Sequence, residues 1–179
     1  RLINNQETLA KYPYPFCLEI GYRIHNKQVE VIWEVKNTGE KEMVRELIHD
    51  PIRLAAKSAE ATADDTGIAS DLLDTLRAHS ETCVGMAANM IGERKRIICF
   101  TDGKEYVTMF NPEIIKKTEP FETEEGCLSL IGGPRKCKRY KKIKIKYQTE
   151  KFEIRLKTYT GFTAQIIQHE IDHCNGVLI

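Results

Sequence analysis

Residues 168 to 179, QHEIDHCNGVLI, contain two histidines flanking a glutamate in the pattern H-E-x-x-H. Histidines four apart in a helix project from one face about a turn from each other, so His169 and His173 can both reach one divalent ion. Glu170, directly after the first histidine, then lies beside the open coordination position, where a carboxylate can move protons for a polarised water. The competing reading is a partly buried helix face with two hydrogen-bonded histidines. A catalytic site of this kind needs a third protein ligand, and only six residues follow His173. That ligand must therefore come from upstream. His49, His79, several carboxylates and the cysteines are available. Cys174 is one residue past His173 and so turns about 100° away on the helix. Cys127, in TEEGCLSL (123 to 130), is the better candidate, because it follows a glycine in a short apolar segment that can lie against the helix. Taken alone, Cys127 reads first as a small buried residue.

Three segments in one order carry a family resemblance. EGCLS and HEIDH, with CVGMAANM (83 to 90) upstream, are similar to the signatures of peptide deformylase, and the resemblance covers Met43 to Ile179. It implies one divalent metal held by Cys127, His169 and His173, with Fe(II) the usual ion and zinc or nickel able to occupy the same site. It implies Glu170 as general acid and base, and the Leu128 N–H as a donor to the oxyanion. The implied reaction removes the formyl group from the N-terminal formyl-methionine of nascent polypeptides, which would be the partner molecules. An apolar pocket for the methionine is expected around Met86, Ile131 and Ile166, with Gly85 and Gly126 also at the substrate.

Two positions depart from the family pattern. Cys83 replaces a glycine, and Met90 replaces a glutamine that donates a hydrogen bond to the developing oxyanion. Losing such a donor costs about 10²- to 10³-fold in rate. Asn89, one position earlier, is expected to turn inward and supply the missing amide as a catalytic residue.

The elements that must position these residues read as α+β: mixed or antiparallel sheets packed around a central metal-binding C-terminal helix, with an N-terminal β-hairpin. Leu18, Ile20 and Tyr22 alternate, as do Val29, Val31, Trp33 and Val35, with HNK as the turn between two strands. Ile68, Leu72, Leu73 and Leu76 recur at helical spacing from Asp64 or Thr66 to about His79. RIICF (96 to 100), YVTMF (106 to 110), IKIKY (143 to 147) and FEIRL (152 to 156) read as strands. The last helix runs from near Gly161 to Asn175, with Gly176 as its C-terminal cap. Residues 1 to 42 lie outside the deformylase pattern and resemble an internal piece of the galactose-mutarotase-like (aldose epimerase) family. None of that family's catalytic residues maps onto them, so a non-catalytic strand segment is expected, followed by a deformylase domain over 43 to 179.

The bulk composition fits this reading. The 179 residues are 41% hydrophobic and 30% charged, the balance of a globular domain. A net charge of +1 gives no general attraction to DNA or to a membrane, and no apolar run spans a bilayer. Six cysteines without a C-x-x-C pair point to free thiols in a reducing compartment, and the N-terminus has no hydrophobic signal core, so a cytoplasmic location is expected. The first residue is Arg1 rather than Met, as expected of a fragment, a processed product or an irregular gene model. RKCKRYKKIKIK (135 to 146) carries eight Lys or Arg residues. The expectation that suits most such runs is a solvated strand face with Ile143 and Ile145 inward, and the sharper one is contact with the ribosome surface.

Overall fold

The computed structural model describes residues 2–3, 16–25, 28–37, 43–130 and 132–179. They fall into two compact units, Arg1–Glu42 and Met43–Ile179. The first is a three-stranded antiparallel sheet of β1 (Leu2–Ile3), β2 (Phe16–His25) and β3 (Gln28–Asn37), in that order. The β2–β3 register pairs Ile20 with Trp33 and Tyr22 with Val31, so the alternating positions of the two strands face each other. The tip of the expected turn, Asn26 and Lys27, lies outside the described residues.

The second unit is built on a five-stranded antiparallel meander. Its strands are β4 (Gly85–Ala87), β5 (Ile97–Thr101), β6 (Tyr106–Glu125), β7 (Arg135–Gln148) and β8 (Ile154–Thr160), adjacent in sequence order. Among the described residues three α-helices accompany it: α1 (Pro51–Leu54), α2 (Thr66–Ala78) and α3 (Gly161–Cys174). The strand period of two assigns each face a different helix. Ile98 and Phe100 of β5, with Ile143 and Ile145 of β7, join a core completed by Ala164, Ile167 and Ile171 of α3. Ile97 and Cys99 turn the other way into a second core with Ala69, Leu72 and Leu76 of α2. The C-terminal helix is thereby fixed on the sheet by its own apolar stripe.

Three strand boundaries, those of β6, β7 and β8, differ from the sequence expectation; β7 already begins at Arg135 rather than near Ile143, and β4 has no counterpart in that expectation. β6 continues to Glu125 instead of ending near Phe110, because the hairpin with β7 passes through register shifts around Pro112 and Ile115. Proline has no N–H to donate, and the shift removes it from the ladder. Asn111, at φ 50°, holds this point by exchanging hydrogen bonds with the Ala61 backbone. β8 starts at Ile154 rather than at Phe152, which sits in a turn at φ 58°. β4 has three residues, too few to show a period in sequence. At the far end α3 stops before Gly176, whose φ of 73° and close approach to Ala55 O exclude a side chain there.

Candidate functional site

The stripe of α3 formed by Phe162, Gln165, Ile166, His169 and Glu170 floors a cleft of about 220 Å³. One wall comes from Thr82 to Gly85 and Met90, the other from Glu124 to Leu128 at the end of β6. His169 and His173 bring their Nε2 atoms to 3.2 Å from each other. Cys127 follows the last residues of β6, and its Sγ lies 3.2 Å from His173 Nε2. One donor atom from each of the three residues falls within 4.8 Å of the other two.

These donors suit a metal. Bonds of 2.0–2.1 Å to nitrogen and 2.3 Å to sulfur give tetrahedral edges of about 3.3 to 3.6 Å. The measured separations are close to those edges. Two imidazole nitrogens at such a distance cannot both carry hydrogens, so they either share a proton or turn both lone pairs toward a cation. Without a cation, burial opposes charge on His169, yet hydrogen bonds to Cys127 and Glu125 outweigh it and push it up to about 10. Burial, with repulsion from His169, pushes His173 down to about 3.

A buried ion network orients the first histidine. Glu125 Oε2 accepts from His169 Nδ1 at 2.9 Å, and the same carboxylate accepts from Arg139 Nε at 2.9 Å and Nη2 at 2.8 Å. Arg139 Nη1 donates to Asp172 at 2.7 Å. Burial alone would raise Glu125, but the hydrogen bonds from His169 and Arg139 and the Arg139 charge bring it down to about 2. A carboxylate ionised throughout the usual pH range keeps the His169 proton on Nδ1 and leaves Nε2 as the donor atom. His173 Nδ1, by contrast, is buried without a hydrogen-bond partner among the described residues.

Glu170 has the opposite environment. It is 3% exposed, and its Oε2 has no hydrogen-bond partner among the described residues. Burial raises it to about 7, against the partly compensating charge of His169. Room for the carboxylate is made by Gly85, where an added Cβ would stand 2.7 Å from Glu170 Oε1 and 2.7 Å from Ile166 Cγ2. A buried carboxyl with a near-neutral pKa and an oxygen unpaired among the described residues, beside a triad able to hold a metal, can both take and return a proton.

Of the expected substrate residues, Gly85, Gly126 and Ile166 line the cleft, as does Leu128. Ile131 lies outside the described residues. Two expectations are corrected. Met86 is fully buried in the core with α2, because strand alternation turns it away from the cleft side that Gly85 occupies. Asn89 does not supply the missing amide: its Nδ2 donates to Leu54 O at 3.2 Å and His173 O at 2.9 Å. Ala88–Ile91 is a 3₁₀ helix, in which neighbouring side chains diverge by a third of a turn, so Met90 faces the cleft while Asn89 points elsewhere.

The sequence reading missed Glu125, Arg139, Asp172 and Gln165. Glu125 and Asp172 lie inside or beside the quoted motifs, and Gln165 stands one turn before His169. Arg139 was absorbed in the basic run, yet it is only 5% exposed.

Comparison with known proteins places this geometry. Residues 42–179 match the family model described as polypeptide deformylase. A peptide deformylase of Clostridium beijerinckii is 53% identical over 137 residues, 76% of this chain and 100% of that protein. One from Pseudothermotoga lettingae is 37% identical over 135 residues, 74% of this chain and 77% of that protein. Among solved structures, the Met-Ala-Ser-bound class I type b peptide deformylase from Acinetobacter baumannii superposes with a TM-score of 0.69 at 28% identity, covering 76% of this chain and 96% of that one. The peptide deformylase of Thermotoga maritima gives 0.68 at 31%, covering 76% and 94%.

Proposed function

The chain belongs to the polypeptide deformylase family, and from that premise we propose how its residues divide the work of deformylation. The reaction is hydrolysis of the N-formyl group from the N-terminal formyl-methionine of nascent polypeptides. The observation that carries the assignment is the convergence of Cys127, His169 and His173 at one end of a cleft where Glu170 is buried and unpaired.

Deformylases use a divalent metal, and we assign it to Cys127, His169 and His173, with Fe(II) as the native ion and zinc or nickel as substitutes. The bound ion supplies Lewis-acid polarisation and lowers the pKa of water toward neutrality. Glu170 takes the proton of the attacking water and returns it to the leaving amine, a double duty suited to a carboxyl held near 7. The Leu128 N–H, at the cleft wall, donates to the developing oxyanion. Gly85, Gly126 and Ile166 border the substrate, Gly85 by leaving room for the proton carrier. Glu125 and Arg139 position His169 without touching substrate.

The reading extends to contact between residues 135–146 and the ribosome surface. On the outer face of the hairpin, Lys136 and Lys138 pair in register with Glu124 and Glu122. Lys144 instead stands opposite Lys116, and Lys142 opposite Thr118. Like charges directly opposed cost stability, and a polyanion relieves that cost. We also assign a cytoplasmic location. Residues 1–42 form a non-catalytic appendage to a deformylase domain over 43–179; the family match starts at residue 42, and the aldose-epimerase resemblance gains no support from it.

The test is anaerobic purification, metal analysis and an assay on formyl-Met-Ala-Ser. One ion per chain and release of formate are expected. Glu170→Ala should keep the ion and lose nearly all turnover. Equal loss of ion and turnover in that variant would make Glu170 a ligand and overturn the division of roles.

A further inference from the structure

Among the side chains lining the cleft, Gln165 is the single carboxamide. It is half-buried, and no hydrogen bond joins its amide to any described residue. Gln168, three residues on, shows the contrast: its side chain accepts from Tyr140 N and donates to Tyr140 O and Ala164 O.

Its place on α3 fixes which part of the cleft it serves. Helical side chains lean toward the N-terminus, so a residue covers the turn preceding its own Cα. Gln165 stands on α3 one turn before His169, between Phe162 and Ile166 of the same cleft. Around it the cleft combines the polar groups of Cys127, His169 and Glu170 with the apolar side chains of Val84, Phe162 and Ile166. With a formyl group held at Cys127, His169 and His173, the first side chain of a substrate has this turn of α3 as its available lining.

We propose that the Gln165 carboxamide donates a hydrogen bond to the thioether sulfur of the substrate methionine, so that the pocket distinguishes sulfur from a methylene of the same size. Sulfur is a weak acceptor, and methionine accommodates to its surroundings easily. An all-carbon chain of equal length leaves the amide facing apolar surface without a partner. Gln165 is thus a specificity residue for the side chain and takes no part in proton transfer. The inference rests on the deformylase reading.

The test compares kcat/KM for formyl-Met-Ala-Ser and formyl-norleucyl-Ala-Ser. The wild-type chain should favour methionine by about three- to tenfold, the size of one neutral hydrogen bond. Gln165→Met keeps the length of the side chain without a donor, and Gln165→Leu is a second variant should the first unfold. Both should bring the ratio near one, chiefly by improving the norleucyl substrate. An unchanged ratio overturns the proposal. So does an equal fall for both substrates, which would place the amide on the carbonyl common to them. Calorimetric affinities of the products Met-Ala-Ser and norleucyl-Ala-Ser give the same ratio without turnover. Absence of deformylation alone would then count against the function, and an absent preference in binding against Gln165.

Discussion

Gly85→Ala is the smallest change that reaches the proposed chemistry without altering any group that performs it. The new Cβ would stand 2.7 Å from both Glu170 Oε1 and Ile166 Cγ2, whereas ordinary contact begins near 3.4 Å. About 0.7 Å of movement is needed, and both obstructing atoms belong to α3. That helix is held on the sheet by Ala164, Ile167 and Ile171, so it cannot withdraw as a body at low cost. The Glu170 carboxylate, which has an unpartnered oxygen, will yield first. A displacement approaching 1 Å of a catalytic group costs about 10²-fold in rate. Overpacking adds about 1–3 kcal/mol of destabilisation, which in a chain of this size lowers Tm by roughly 3–10 °C. The expected outcome is kcat/KM on formyl-Met-Ala-Ser reduced by about 10²-fold, with a modest fall in Tm and the metal retained. Gly67→Ala provides the control. It lies near the start of α2 with nothing within 4 Å of an added Cβ, and should be neutral or stabilising. A Gly85→Ala protein within twofold of wild-type activity would refute the claim that this glycine makes room for the proton carrier.

Glu125→Gln should weaken metal affinity by about 10- to 100-fold in a chelator competition, because the His169 Nδ1–H then meets a neutral acceptor. Asn89→Ala should lower Tm by unpairing Leu54 O and removing one of the donors to His173 O, while leaving KM unchanged; a selective loss of kcat at unchanged stability would restore Asn89 to the oxyanion site. Met90→Gln puts a donor on the cleft wall and should raise kcat, by as much as 10²-fold if Leu128 N–H otherwise acts alone; no change in rate would mean another group already fills that role. Removing residues 1–42 should leave a folded, metal-binding chain from Met43, and an insoluble product would contradict that independence.

The parts legible in the sequence were those carried by one element with one period. His169, Glu170 and His173 share a helix face by spacing alone, and the apolar positions of α2 and α3 announced both helices. The sequence pattern of β6 breaks at Asn111–Pro112, and from there most of its residues are exposed; alternation returns only at Phe121–Glu125, where the half-buried and buried positions are Phe121, Thr123 and Glu125 and mostly polar. Arg139 illustrates a different limit. The alternation that turns Ile143 and Ile145 inward gives Arg139 the same face, but it gives that face to the exposed Lys141 as well; the burial of Arg139 is decided by Glu125 and Asp172, 14 and 33 residues away. Asn89 failed for a reason of handedness: which of two adjacent residues faces a cleft depends on the turn of a four-residue 3₁₀ segment, and side-chain chemistry does not determine that.

The two glutamates of the site explain why the network is worth its desolvation cost. Glu125 and Glu170 are both buried, and burial by itself would raise both. Arg139 supplies two hydrogen bonds to Glu125 and one to Asp172, and His169 supplies another to Glu125, so Glu125 remains charged. Among the described residues Glu170 receives no such donor, and burial raises it to about 7. Opposite environments for chemically identical groups are how one site separates an orienting charge from a proton carrier. Removing Arg139 would weaken that distinction by leaving Glu125 with His169 as its remaining partner among the described residues, and removing one member of a buried ion pair costs about 3–5 kcal/mol. The basic residue that the sequence presented as surface is therefore the one on which the ionised state of Glu125 depends, whereas burial sets that of Glu170.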